Sequence, residues 1–120
     1  MPYQRHTYTH QGINLNYYML GQGSPLLFLH CHGTNAICYK KTLEILAQHY
    51  LVIAPDIPCF GRSGVPKETW NYQDYAKFLT KFINTLDINN YTLMGHSFGG
   101  GISLELANLD SRITALILID

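Results

Sequence analysis

The stretch Gly95-His96-Ser97-Phe98-Gly99-Gly100 constrains this chain more than any other. It follows Tyr91-Thr92-Leu93-Met94, a short apolar run that reads as a strand. It precedes Gly101 to Leu109, which reads as a helix. Gly-x-Ser-x-Gly between a strand and a helix is a nucleophile elbow, a turn so tight that the serine backbone is strained and its Oγ is exposed. A Cβ at Gly95 or Gly99 would collide with the neighbouring strand or helix. Three glycines in the first turn of a helix weaken it by about 1 kcal/mol each relative to alanine. A local rule broken in this way marks a functional position. The plainer reading, a Gly-rich loop with an incidental serine, does not account for the strand and helix that the motif requires on its two sides.

The elements around the elbow follow from periodicity. Tyr3 to Thr9 alternates loosely and reads as an edge strand; Gln11-Gly12 is a turn signal. Ile13, Leu15, Tyr17 and Met19 alternate, which predicts a second strand paired with the first as a hairpin. Leu26 to Leu29 is continuously apolar, the mark of a strand covered on both faces. Tyr39 to Tyr50 carries Leu43, Leu46 and Ala47 at helical spacing, and Leu51 to Ala54 is another buried strand. Asp56 to Pro66 holds two prolines, Pro58 and Pro66, and two glycines, Gly61 and Gly64, and reads as loop. Asn71 to Leu86 carries one apolar stripe on a helix, and Ile113 to Ile119 is a last apolar run. From residue 25 onward strands alternate with helices. That predicts an α/β three-layer sandwich: an antiparallel N-terminal hairpin, then βα units in a mostly parallel twisted sheet with right-handed crossovers. Chemistry in such sheets sits outside the C-terminal strand ends. The turn after Leu29, the loop after Ala54 and the elbow after Met94 all fall there.

The 120 residues suffice for one small domain. Net charge is zero with histidines neutral, so nothing favours nucleic acid or an anionic membrane as partner. Cys31, Cys38 and Cys59 are an odd number, and no pair has metal-ligand spacing. No apolar run approaches the ~18–20 residues of a membrane span, and Met1 to His10 does not resemble a signal peptide. A cytoplasmic protein with reduced thiols is the expectation.

Four matches carry a resemblance: Leu29 to Thr34, Asp56 to Gly64, Gly95 to Gly100, and the order of elements. Together they make the chain similar to the N-terminal half of an α/β-hydrolase-fold protein, serine-nucleophile branch, over nearly its whole length. The resemblance implies residues 1–120 as the N-terminal part of a single hydrolase domain, with the cap and C-terminal part absent. It implies a small-molecule substrate with an ester, thioester or amide-type acyl bond, and no cofactor or metal. Ser97 would be the nucleophile. The backbone N–H groups of Thr34 and Phe98 would form the oxyanion hole. His32, Gly33, Asp56, Gly61, Gly95, His96 and Gly99 would be motif and structural residues. A serine at 97 disfavours the dehalogenase and epoxide-hydrolase branches, which use a carboxylate there.

Within the resemblance, His32 is expected to be a hydrogen-bonding structural residue, and His30 an ordinary strand-end or surface histidine. His96 is expected to pack beside the nucleophile, and Asp56 to organise its loop with Arg62 as partner. Cys59 stands where the family commonly has glycine, so that turn is expected to be altered. A Cys/His metal site from His30, Cys31, His32 and Cys59 is disfavoured, because neighbours on one turn do not converge on one ion. In the family order the acid and the base histidine follow the elbow, beyond Asp120, itself a weak acid candidate. The 120-residue chain is therefore expected to be inactive alone, and the Ile113–Ile119 edge to pair or aggregate. A non-catalytic remnant or interaction module of the same fold is the alternative.

Overall fold

The computed structural model describes residues 3–120. Six strands form one sheet: β1 (Gln4–His10), β2 (Ile13–Leu20), β3 (Ser24–Leu29), β4 (Tyr50–Pro55), β5 (Tyr91–His96) and β6 (Ile113–Ile119). Three helices connect them: α1 (Lys40–Leu46), α2 (Tyr72–Asn84) and α3 (Phe98–Leu109), with a 3-10 turn at Ala36–Tyr39 leading into α1. The sheet order is β1-β2-β4-β3-β5-β6. β1 with β2 and β2 with β4 are antiparallel; β3 pairs parallel with β4 and with β5, and β5 parallel with β6. This is the expected hairpin followed by βα units.

Alternate residues of the central strands serve two cores, as a period of two demands. Leu27, Leu29, Ile53 and Leu93 face α2 and α3, meeting Phe78, Leu79, Phe82, Ile102 and Leu106. Leu26, Phe28, Val52, Ala54 and Met94 face the other way, toward Leu43 of α1 and Ala47 at its C-terminal cap. Helix α2 begins at a reciprocal cap: Asn71 Oδ1 accepts from Asp74 N–H, and Asp74 returns a bond to Asn71 N–H, each 2.9 Å. At the far end of β5 the Tyr91 hydroxyl donates to Asp110 (2.9 Å), which Arg112 also holds (2.8 Å).

Several boundaries differ from expectation. β5 continues past Met94 to His96, and α3 starts at Phe98 rather than Gly101. Pairing of Gly95 with both Leu29 and Leu118 keeps the strand extended right up to the elbow. Tyr50 belongs to β4, so α1 is shorter than its apolar spacing suggested.

Candidate active site

The elbow is built by β5 and α3. Ser97 joins them with φ 54° and ψ −107°, outside the regions that L-residues favour, and its side chain is exposed. Such a conformation costs about 1–3 kcal/mol and persists only where its surroundings enforce it. Its N–H donates to Ile119 O (2.9 Å) and its carbonyl accepts from Gly101 N–H (3.1 Å). The hydroxyl makes no capping bond to the helix it opens. The glycines are explained by close approach. A Cβ on Gly99 would meet the carbonyl oxygens of Leu29 and His30, and one on Gly95 would meet Ser103 Oγ and the carbonyl of Gly99. The amide of Phe98 opens the first turn of α3, where helical N–H groups have no intrahelical acceptor.

The turn after β3 stands beside the elbow. Cys31 to Thr34 closes through Thr34 N–H to Cys31 O at 3.4 Å, with Gly33 at φ +76° in the position where a type II turn needs it. The structure separates its two histidines, and here the expectation is corrected. His30, not His32, is the hydrogen-bonding residue. It is fully buried; its Nε2 accepts from Ile57 N–H (2.9 Å) and its Nδ1 lies 2.8 Å from Cys31 O. That pairing fixes the neutral tautomer with the proton on Nδ1. His32 is exposed, and its ring meets Phe60 and Phe98 edge-on at 5.1 and 5.5 Å. A side chain at the second position of a turn points outward, which is why the buried bonds fall to His30.

The third loop, after β4, is organised by Asp56. Its buried carboxylate accepts from Ala36 N–H, Arg62 N–H and Asn16 Nδ2, each at 2.9 Å. These bonds join the turn after β3, the loop itself and β2. Arg62 is a partner of Asp56 as expected, through its backbone amide. Gly61 (φ +54°) lies so close that a Cβ there would overlap the Asp56 carboxylate. Cys59 takes φ +88°, so the turn keeps a glycine-type backbone and strains the cysteine instead of being altered.

The three loops therefore converge, as the topology implied. Phe98 meets His32, Phe60, Tyr72 and Tyr75 within 5.4–5.7 Å. His96 Nδ1 lies 2.7 Å from the Tyr39 hydroxyl, its ring T-shaped to the tyrosine at 5.8 Å. Tyr39, Tyr72 and Tyr75 lie outside every motif.

A family model described as alpha/beta hydrolase fold matches residues 24–120. The chain belongs to the alpha/beta hydrolase fold family. The names of its relatives span varied chemistry. The haloalkane dehalogenase of Psychrobacter cryohalolentis is 39% identical over 85 residues, which cover 68% of this chain and 28% of the relative. The (E)-2-((N-methylformamido)methylene)succinate hydrolase of Acinetobacter baylyi is 30% identical over 105 residues, 84% of this chain and 40% of the relative. The solved structure of the epoxide hydrolase CorEH superimposes with a TM-score of 0.94 at 23% identity, over 99% of this chain and 42% of that one. The chain thus spans well under half the length of these relatives. Among the described residues no helix is long and apolar enough to cross a membrane. Two surface hollows, one lined by His10, Trp70 and Phe78 and the other by Ile13, Val65 and Trp70, include no residue of the elbow.

Proposed function

We propose that this chain carries the nucleophile half of a serine hydrolase site acting on an ester, thioester or amide-type acyl bond of a small molecule. The observation that carries the reading is the exposed Ser97 held at φ 54° between β5 and α3. The side chain at 97 selects among the chemistries that the relatives' names span. A serine oxygen displacing a group from saturated carbon would leave an ether that water does not hydrolyse. A serine oxygen adding to a carbonyl forms an acyl ester that water does hydrolyse. Acyl substrates therefore suit this chain better than haloalkanes or epoxides.

As Ser97 Oγ adds to the carbonyl, negative charge develops on the carbonyl oxygen and needs fixed donors, worth roughly 3–4 kcal/mol each. Phe98 N–H is one. For the second, Thr34 N–H is turned into its own turn toward Cys31 O. That favours His32 N–H, whose residue touches Phe98, over the Thr34 amide expected from the sequence.

The proton of Ser97 needs a base, and two of the neighbouring histidines, His30 and His96, are engaged elsewhere. His30 uses both nitrogens, and Nδ1 of His96 faces Tyr39. This favours a second reading for the 120-residue chain by itself, a non-catalytic unit of the fold. A fluorophosphonate probe with added imidazole as the base separates the two. The Ser97 Oγ–P bond forms, the P–F bond breaks, fluoride leaves, and imidazole takes the proton. Labelling of the wild type and none of Ser97→Ala supports the nucleophile. An unlabelled, well-folded wild type supports the second reading.

A further inference from the structure

We infer that Tyr39 is a positioning residue that ties the turn after β3 to the elbow. Its hydroxyl accepts from Cys31 N–H at 3.1 Å and donates to His96 Nδ1 at 2.7 Å. Cys31 opens the turn whose next amide is His32 N–H, and His96 is the residue before Ser97. One hydroxyl thus sets the separation of the segments that carry the second oxyanion donor and the nucleophile. The hydroxyl is itself held by the packing of its ring on Phe28 of β3, with centroids 4.8 Å apart. The inference gives the hydroxyl proton to His96, so Nδ1 is the acceptor and Nε2 carries the imidazole proton.

The consequence for reactivity rests on the serine reading above. Misplacing reacting groups by a fraction of an ångström slows chemistry far more than it destabilises a fold. Tyr39→Phe keeps the ring on Phe28 and removes only the tie. The test is the rate of Ser97 phosphonylation by a fluorophosphonate in imidazole, together with nitrogen-15 NMR of the histidines and amides. Tyr39→Phe is expected to slow labelling about tenfold, the scale of one hydrogen bond on a barrier. His96→Ala cuts the tie from its other end and is expected to do the same. The double variant is then no slower than either single one, because both remove one interaction. Labelling of Tyr39→Phe at the wild-type rate, or losses that multiply in the double variant, overturns the inference. An unlabelled wild type removes the serine reading but leaves the tie testable. The His96 Nδ1 and Cys31 amide resonances must both move in Tyr39→Phe, and unmoved resonances overturn it.

Discussion

His30 is neutral in the folded chain because Nε2 is an acceptor there. Protonation would set its new N–H against the N–H of Ile57. Burial is the main influence and draws its pKa down, against the opposing pull of the Cys31 carbonyl and the Asp56 carboxylate. The folded value thus lies below the unfolded one, about 6.5. On acidification the unfolded chain takes up this proton first. The stabilisation is present in full above about pH 6.5 and is lost as pH falls toward the folded value. The melting temperature is therefore expected to drop between about pH 7 and pH 5, before most carboxylates titrate. His30→Gln, which offers an acceptor that does not titrate, is expected to flatten that slope. A wild-type melting temperature constant over the interval would count against this role for His30. The sequence does not distinguish His30 from His32. They stand two residues apart in one turn, and only the passage of Ile57 over the end of β3 decides which is buried.

At the level of elements, helix α3 sits on β3 at a distance set by Gly99. Gly99→Ala gains about 1 kcal/mol of helix propensity. Its Cβ, however, lands on the backbone carbonyl of Leu29, which has no freedom to turn aside. Overpacking of this kind costs about 1–3 kcal/mol, so a net loss in urea unfolding is expected. The β4 loop offers the opposite case. Cys59→Gly relieves about 1–2 kcal/mol of left-handed strain, against roughly 0.5–1 kcal/mol of added chain entropy. A small net rise in melting temperature follows, and Cys59→Val should lower it. The elbow is legible in sequence because its glycines answer to steric contacts of one strand, one turn and one helix, which a short motif records. Leu26–Leu29 and Leu51–Ala54 are legible because strands covered on both faces are apolar throughout. The tie from Tyr39 to His96 spans 57 residues and leaves no periodic trace. Asp56 is legible as the organiser of its loop, but its partners, the amides of Ala36 and Arg62 and the Asn16 side chain, leave no trace in the sequence.

Across the whole molecule the two sheet margins differ. β1 is polar and alternating, whereas β6 is apolar on both faces and carries no charge from Ile113 to Ile119. Its Leu118 points toward Gly100 of α3, while Ile117 lies beside Met94 on the face that α1 covers only farther along the sheet. Leu116, Ile117, Leu118 and Ile119 remain 37–48% exposed. Among the described residues no strand pairs with β6 on its outer side. A long apolar strand with a free row of N–H and C=O groups is a template for pairing with another chain. An antiparallel pairing of β6 with its copy satisfies both rows at once, because a two-fold contact is self-complementary. The 120-residue chain is therefore expected to elute from size-exclusion chromatography as a dimer or larger species at micromolar concentration. Ile117→Lys leaves the buried cores untouched and places a charge beside the pairing edge. It is expected to shift the chain toward monomer with an unchanged far-UV circular dichroism spectrum. A wild-type chain that stays a sharp, cooperatively melting monomer as concentration rises would show that this edge is tolerated bare.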